Sequence, residues 1–303
     1  AALWLEQHGF ISETVRHLRA AEAFSEVARL VEGQLEQAVV HGEFQTLLQW
    51  LESIPENEAK LRPRLYVFRV IMAAWVGRLD EADSWLSKLE ANLESLEDSN
   101  EATTEALSLR AEAWAARAIR TAFTDDLATT TKLSERALKL LPPERLVVRS
   151  ALAASLSRAY LMAGYPRKRV TTLIEARTLA ESGGLTGLAL LFHTLEGNAQ
   201  IGLGKLEAAA WHCREVIRVI AASAEPYPAQ SGLAQMSLGI VLGEWNQLED
   251  AATHLRQSLD LQQYQGNPYS FVESSLALAR VQQAQNDGPA AWQTLTLAER
   301  VVG

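Results

Sequence analysis

Few residues in this chain have the type and spacing that chemistry requires. The six histidines, at positions 8, 17, 41, 193, 212 and 254, form neither a His-Glu-x-x-His motif nor the paired Cys/His spacing of zinc sites. Cys213 is a sequence neighbour of His212, so their side chains point to different sides of a helix. No base or oxyanion site accompanies this single cysteine, which favours burial as a small apolar residue. We therefore expect no enzyme activity, no metal ion and no cofactor in this fragment.

The helices that would position any site are indicated by a sequence pattern that recurs along the chain. An Ala/Leu-rich stretch is followed by a turn residue and by Leu-Glu-x-Ala or its equivalent, as in the segment 77–82 and again at 204–209, 246–251 and 286–291. Turn residues at 164, 204, 246 and 286 are 40, 42 and 40 residues apart. This period is typical of stacked helical hairpins. The pattern predicts an all-α fold, a right-handed superhelix of about eight stacked hairpins forming a tetratricopeptide-like α-solenoid with a period of about 40.

The turns and prolines predict where the hairpins lie. We expect one α-solenoid domain over residues 1–303, with a possible flexible joint in the acidic segment 94–101, because the next turn falls near Asp125. Both ends lie within helical pattern, so we expect a fragment of a larger protein. The predicted hairpins are at 1–20, 24–53, 62–96, 101–140, 143–182, 185–222, 226–264 and 268–302.

Composition and charge narrow the classes of partner. Hydrophobic residues make up 48% of the chain and aromatic residues 7%, without an apolar run of about 18 residues or a signal peptide, so we expect a cytoplasmic protein with no membrane contact. The net charge of −9 opposes nucleic-acid binding by this fragment. The one basic cluster, at 167–169, is either a solvated turn or a contact to another domain of the parent protein.

Small residues recur at one register position. Gly197 and Gly239 each lie seven residues before a turn residue, where Ala118 and Ala279 occupy the corresponding positions of other hairpins. Glycine within a helix costs about 1 kcal/mol relative to alanine. Its recurrence therefore predicts close contact between the two helices of a hairpin. The second helices carry small residues at the answering position: Ala137, Ala176 and Ala298.

Three stretches carry a family resemblance. Residues 233–255, with the segment Glu244-Trp245-Asn246-Gln247-Leu248, the following residues 276–285, and the N-terminal run 41–55 resemble the helical sensor domain of large ATP-dependent LuxR-type transcriptional activators, the group of the maltose regulon activator. The resemblance covers nearly the whole chain. It implies a three-part regulator with an ATPase switch module, this helical array and a DNA-binding helix-turn-helix domain. Self-association is possible in such a regulator.

The resemblance also places the ATP and DNA sites outside this fragment. The chain contains no Gly-x-x-x-x-Gly-Lys-Ser/Thr phosphate loop. In the family the array binds an inducer, which favours the ATP-bound, self-associating form. We therefore expect the contribution of this fragment to be the sensing of an effector.

First helices line the inner surface of stacked hairpins, so a ligand site is expected on them. In the tetratricopeptide register the polar side chains turned toward that surface face an apolar wall that includes Ile240. Each of them is either a ligand contact or a solvated residue of an open groove. Tryptophans are expected to pack between helices, with Trp114 the best candidate for a ligand contact. The candidate ligand-binding residues are Glu112, Trp114, Arg158, Thr194, Asn198, Glu273, Arg280 and Gln283.

Two functions remain open from the sequence. The first is an effector-sensing domain that binds a small molecule and biases the ATPase module. The second is a protein-interaction scaffold that binds a peptide or a regulatory partner. A groove of basic carboxylate clamps would favour the scaffold, and only Arg158 and Arg280 are available for one.

Overall fold

The computed structural model is all-helical over the residues it describes, which are 2–97, 104–124, 126–224, 227–262 and 268–302. Within these ranges there are seventeen helices and no strand. The helices are α1 (Ala2–Gln7), α2 (Ile11–Ala20), α3 (Phe24–His41), α4 (Phe44–Glu52), α5 (Glu56–Lys60), α6 (Pro63–Trp75), α7 (Leu79–Glu97), α8 (Thr104–Thr121), α9 (Leu127–Leu140), α10 (Leu146–Met162), α11 (Pro166–Ser182), α12 (Thr186–Ile201), α13 (Leu206–Ala221), α14 (Pro228–Glu244), α15 (Leu248–Gln262), α16 (Pro268–Ala284) and α17 (Gly288–Val302).

The predicted hairpins are confirmed where the chain is described. Each of the eight predicted ranges covers two consecutive helices, from α1 and α2 to α16 and α17, and only the last residue of α7, Glu97, lies outside its range. Proline begins α6, α11, α14 and α16, where its missing N–H costs no helical hydrogen bond. The short helix α5 was not predicted. It fills the gap between the second and third hairpins and begins directly after Pro55.

One turn geometry joins the helices of most hairpins. Gly164, Gly204, Asn246 and Asn286 all have φ between 59° and 73°, the left-handed conformation that glycine and asparagine tolerate best. At Gly204, its N–H donates to the Ile201 carbonyl, and the next N–H donates to the Gln200 carbonyl. The turn residue therefore ends the first helix by satisfying its last carbonyl groups.

The glycines in mid-helix mark close helix contacts, as predicted. A Cβ on Gly239 would lie 2.6 Å from Cγ of Leu255 and 3.1 Å from the backbone oxygen of Ala251. A Cβ on Gly197 would lie 3.0 Å from Cβ of His212. The alanines at the corresponding and answering positions are buried in their hairpins: Ala118, Ala137, Ala176, Ala279 and Ala298.

The helices form two compact units, which we describe separately. Unit 1 is residues 1–159 and unit 2 is residues 160–303. The boundary falls within α10 and not at the predicted joint. Of that joint, residues 94–97 are the last turn of α7, while 98–101 lie outside the described residues, as does Asp125. The expectation of one continuous domain stays a prediction.

Candidate ligand groove

Unit 2 contains a groove between its first helices α14 and α16. It has a volume of about 320 Å³ and includes Leu248 at the start of α15. Its floor is the packed core of α13 to α16, where residues such as Val241, Leu255 and Leu278 are buried. The lining residues are Ile240, Gly243, Glu244, Leu248, Glu273, Leu276, Ala277, Arg280, Val281 and Ala284.

The spacing of residues on α16 explains why one face of this helix lines the groove. Glu273, Ala277, Arg280 and Ala284 follow each other at intervals of three or four residues, which places them on one stripe of a helix. Ser274 and Leu278 lie on another stripe and are buried against the core. The sequence therefore presents a charged and apolar stripe to the groove while it buries the other face.

The groove combines aliphatic walls with exposed charges. Leu276 is 45% exposed, and it shares the wall with the partly buried Ile240 and Leu248. The side chains of Glu244, Glu273 and Arg280 are exposed. An apolar surface with a few polar groups that converge on it is the usual character of a small-molecule site.

Two of the predicted ligand residues, Glu273 and Arg280, line this groove together with the predicted apolar residue Ile240. Gln283 is exposed on α16 but is not among the lining residues. Whether these residues contact a ligand stays a prediction.

Asn198 is engaged by a buried arginine of the same unit. The Arg169 guanidinium donates from Nη2 to Oδ1 of Asn198 at 2.8 Å, and Arg169 is 5% exposed. Burial lowers the pKa of Arg169, and the Glu273 carboxylate opposes that shift. Arg169 belongs to the basic cluster for which a solvated turn was one interpretation. For this residue that interpretation is wrong, because its side chain packs inside the unit.

Glu112 does not face an open groove, contrary to prediction. It is 1% exposed, and its carboxylate lies 3.3 Å from Nε of Arg64 and 3.1 Å from Nε of Arg145. Glu36 on α3 accepts a hydrogen bond from Nη2 of Arg64 at 2.8 Å. We call these four residues of unit 1 the Glu112 network. Because it satisfies the buried carboxylate internally, Glu112 is a structural residue.

Thr194 is also buried, at 1% exposure, and donates to the Leu190 carbonyl at 2.9 Å within its own helix. The prediction that it faces an accessible surface is wrong, because the hydroxyl is used by the preceding turn.

Trp114 and Arg158 are both engaged within unit 1. The Arg136 guanidinium of α9 lies 3.6 Å from the centre of the Trp114 ring. The Arg158 guanidinium lies 4.7 Å from the centre of the Phe123 ring. Both are cation–π contacts. Trp114 therefore packs against the second helix of its own hairpin.

Sequence reasoning missed Glu244, Leu248 and Leu276 as lining residues. All three lie within the stretches that carried the family resemblance, but no role was given to them. The available signal was spacing. Glu244 is four residues after Ile240, and Leu276 is four residues before Arg280, so each shares a helix face with a predicted residue.

A separate cluster on α12 and α13 joins two histidines to an exposed tryptophan. The rings of His193 and His212 are 4.7 Å apart, and Trp211 lies beside both. Burial, with help from His193 and Arg177, lowers the pKa of His212 to about 4. Burial also raises the pKa of the Cys213 thiol to about 12, so this cysteine carries no thiolate at neutral pH.

The described residues contain neither a metal-ligand cluster nor a membrane-spanning helix. Within those ranges, no three or more His, Cys, Asp or Glu side chains are grouped so that they could hold a metal ion. In the same part of the chain, no helix is long and apolar enough to cross a membrane.

Comparison with known families and solved structures shows which proteins share this fold. The family described as the MalT-like TPR region matches residues 111–303. No curated protein matches the sequence. The APC/C hetero-tetramer Cut9-Hcn1 is similar in structure, with a TM-score of 0.64 and 14% identity over 95% of this chain and 49% of that chain.

Two further structures share the fold. NprR in complex with its cognate peptide NprX has a TM-score of 0.61 and 14% identity, over 88% of this chain and 77% of that chain. The STAND protein PH0952 from Pyrococcus horikoshii, which has a tetratricopeptide repeat sensor, has a TM-score of 0.51 and 15% identity, over 99% of this chain and 47% of that chain. This chain thus spans about half the length of the Cut9-Hcn1 and PH0952 chains.

Proposed function

Because this chain belongs to the family of MalT-like TPR regions, we propose that it is the effector-sensing part of an ATP-dependent LuxR-type transcription regulator. In this proposal a small-molecule inducer binds the groove of unit 2. Inducer binding then favours one arrangement of the helical array and so biases the ATPase module of the regulator. ATP and DNA would be bound by other modules, and the protein would act in the cytoplasm.

The single observation that carries the proposal is the groove between α14 and α16. It brings aliphatic side chains and the exposed Arg280 guanidinium to one surface that the core leaves open. In unit 1 the residue of α8 at the register position of Glu273 is Glu112, and internal ion pairs occupy its carboxylate. Unit 2 is therefore the better place for a ligand.

A second candidate function is the binding of a peptide or a regulatory protein. The observation that favours it is the likeness in fold to NprR, which was solved with its cognate peptide NprX. A peptide would extend along several first helices. Contacts beyond the groove of about 320 Å³ would then distinguish it from a small inducer.

The test is a thermal-shift screen of the 303-residue chain against a metabolite library. A ligand present at 100 times its dissociation constant stabilises the folded state by about 2.7 kcal/mol. We expect a saturable shift that Arg280→Gln reduces and that Arg256→Gln keeps, because Arg256 is exposed on α15 and does not line the groove. A hit that both variants bind equally well would place the site elsewhere. No hit, together with capture of a defined peptide, would favour the second function.

A further inference from the structure

The groove of unit 2 carries two opposite charges that are not neutralised. Arg280 on α16 and Glu244 on α14 both line it, and both are exposed. In the described part of the chain, neither makes an ion pair, with the other or with any third residue. Opposite charges that share a groove without pairing leave room for a molecule between them.

The third charge of the groove is already in use. Glu273 acts electrostatically on the buried Arg169 of α11, a guanidinium that donates a hydrogen bond to the neutral Asn198 amide. A ligand cation placed on Glu273 would compete with this support. The carboxylate available to a ligand is therefore Glu244.

The walls between the two charges are aliphatic. Ile240, Leu248, Leu276 and Val281 line the groove, and the described residues of its lining include no aromatic ring. A neutral oligosaccharide presents many hydroxyl groups, each of which needs a hydrogen-bond partner when it leaves water. This lining offers aliphatic carbon instead, so it favours a ligand with an apolar body.

Size restricts the ligand further. A volume of about 320 Å³ lies at the lower end of the range for small-molecule pockets, roughly 300–1,000 Å³. Such a groove suits one small molecule with a single branched apolar group or two.

We propose that the groove binds a small zwitterion with a branched aliphatic body, such as an aliphatic amino-acid derivative or a dipeptide. Arg280 binds the carboxylate through charge-assisted hydrogen bonds, Glu244 binds the ammonium group, and the Ile240, Leu248 and Leu276 side chains cover the aliphatic body. This inference rests on the proposed sensor function and specifies the chemical class of its inducer.

The test uses four probes on the whole 303-residue chain, by isothermal titration calorimetry at low salt. The probes are the dipeptide Leu-Leu, its N-acetyl form, its C-terminal amide, and maltotriose. We expect saturable binding of Leu-Leu, about tenfold weaker binding of each capped form, and no binding of maltotriose. Each capped form loses one charge and with it one charge-assisted contact.

Variants assign each charge to its partner. Arg280→Gln should weaken Leu-Leu about tenfold and remove the difference between Leu-Leu and its amide. Glu244→Gln should remove the difference between Leu-Leu and its N-acetyl form. Arg256→Gln should bind every probe like the unmodified chain, because its exposed side chain lies outside the groove lining.

The outcomes separate this inference from the sensor function. Absence of saturable Leu-Leu binding, or capped forms that bind as tightly as Leu-Leu, would overturn the zwitterion. If maltotriose or another neutral metabolite then shifts the methyl resonances of Leu276 and Val281, the sensor function stands with a different inducer. If no probe and no library compound shifts those resonances, both proposals fall.

Discussion

Two places on first helices, one in each unit, use their polar residues in opposite ways. In unit 1, Glu112 is buried and held between Arg64 and Arg145. In unit 2, Arg280 and Glu244 lie exposed in a groove with aliphatic walls. The position of a residue in the repeat predicts which way its side chain points. Neighbouring helices decide whether that side chain already has a hydrogen-bond or ion-pair partner. A polar residue that its neighbours leave unsatisfied is the better guide to a ligand site.

Two buried arginines show the same contrast. Arg69 of unit 1 donates to the Leu51 and Ile54 carbonyls at the end of α4, and its guanidinium lies 4.2 Å from the centre of the Trp85 ring. Arg169 of unit 2 donates a hydrogen bond to the Asn198 amide, and the Glu273 carboxylate of α16 opposes the lowering of its pKa by burial. Arg69 thus holds the end of α4 in place, while the pKa of Arg169 responds to the charge of the groove residue Glu273.

The contrast between the two units is tested most directly at Glu112. We expect Glu112→Gln to lower the free energy of unfolding by about 3 kcal/mol, because it leaves Arg64 and Arg145 without their shared buried carboxylate. Chemical denaturation with urea measures the change. Glu90→Gln is the control, since Glu90 pairs with Arg117 on the surface and should cost less than about 1 kcal/mol. Equal small effects would show that the Glu112 network is not structural.

The helix contact beneath the groove provides the next test. Gly239→Ala should destabilise by about 1 to 2 kcal/mol, because the added methyl group overlaps the buried Leu255 by more than the gain in helix propensity offsets. Gly33→Ala is the matched control at an exposed position of α3, where a Cβ meets nothing within 4 Å. It should stabilise by up to about 1 kcal/mol. Thermal melts of both variants measure these changes in stability. A stabilising effect of Gly239→Ala would show that the helices pack less closely there.

Unit 2 should also be sensitive to acid through His212. The pKa of this residue is about 4 in the folded chain and about 6.5 when unfolded, so the unfolded state binds the proton first as the pH falls. Stability from this group is complete above pH 6.5 and is lost progressively down to pH 4. Allowing for solvent at a partly buried ring, we expect about 1 kcal/mol of loss between pH 7 and pH 5.

Replacement of the His212 imidazole measures how much this group contributes to the pH dependence of stability. His212→Asn should lose about 1 kcal/mol less than the unmodified chain over that pH interval, while His193, which packs against it, and the neighbouring Arg177 remain in both proteins. Urea denaturation at the two pH values gives the difference. Identical pH dependence would mean that His212 is not protected from protonation in the folded state.

The smallest effect on stability is expected at Arg280. Its exposed side chain makes no ion pair within the described residues, so Arg280→Gln should change the free energy of unfolding by less than about 0.5 kcal/mol while it weakens inducer binding about tenfold. Denaturation and titration of the same sample separate the two effects. Marked destabilisation would place Arg280 with Glu112, as a structural residue, and remove the contrast between the units.

The hairpins could be predicted because their signals are local. Turn residues such as Gly204 and Asn246 need a left-handed backbone, and Gly239 needs a close neighbour, so each leaves a mark at its own position in the sequence. The helix α5 was missed because five residues after Pro55 carry no period.

The site was only partly predictable, because the hydrogen-bond and ion-pair partners of a side chain can be far away in the sequence. Glu112 meets Arg64 from 48 positions earlier, and nothing near Glu112 in the sequence indicates that ion pair. Arg169 looked like part of a solvated basic turn, since its contact with Asn198 forms only when α11 packs on α12. Arg280 and Glu273 both line the groove, because the period of their own helix determines which face they share.

Hydrogen–deuterium exchange of the 303-residue chain, with and without a saturating hit from the metabolite screen, tests the central claim most directly. The account predicts added protection in residues 240–248 and 273–284, around the groove of unit 2, and unchanged exchange around Glu112 in unit 1. Protection confined to the first helices of unit 1, with exchange in α14 and α16 unchanged, would contradict it.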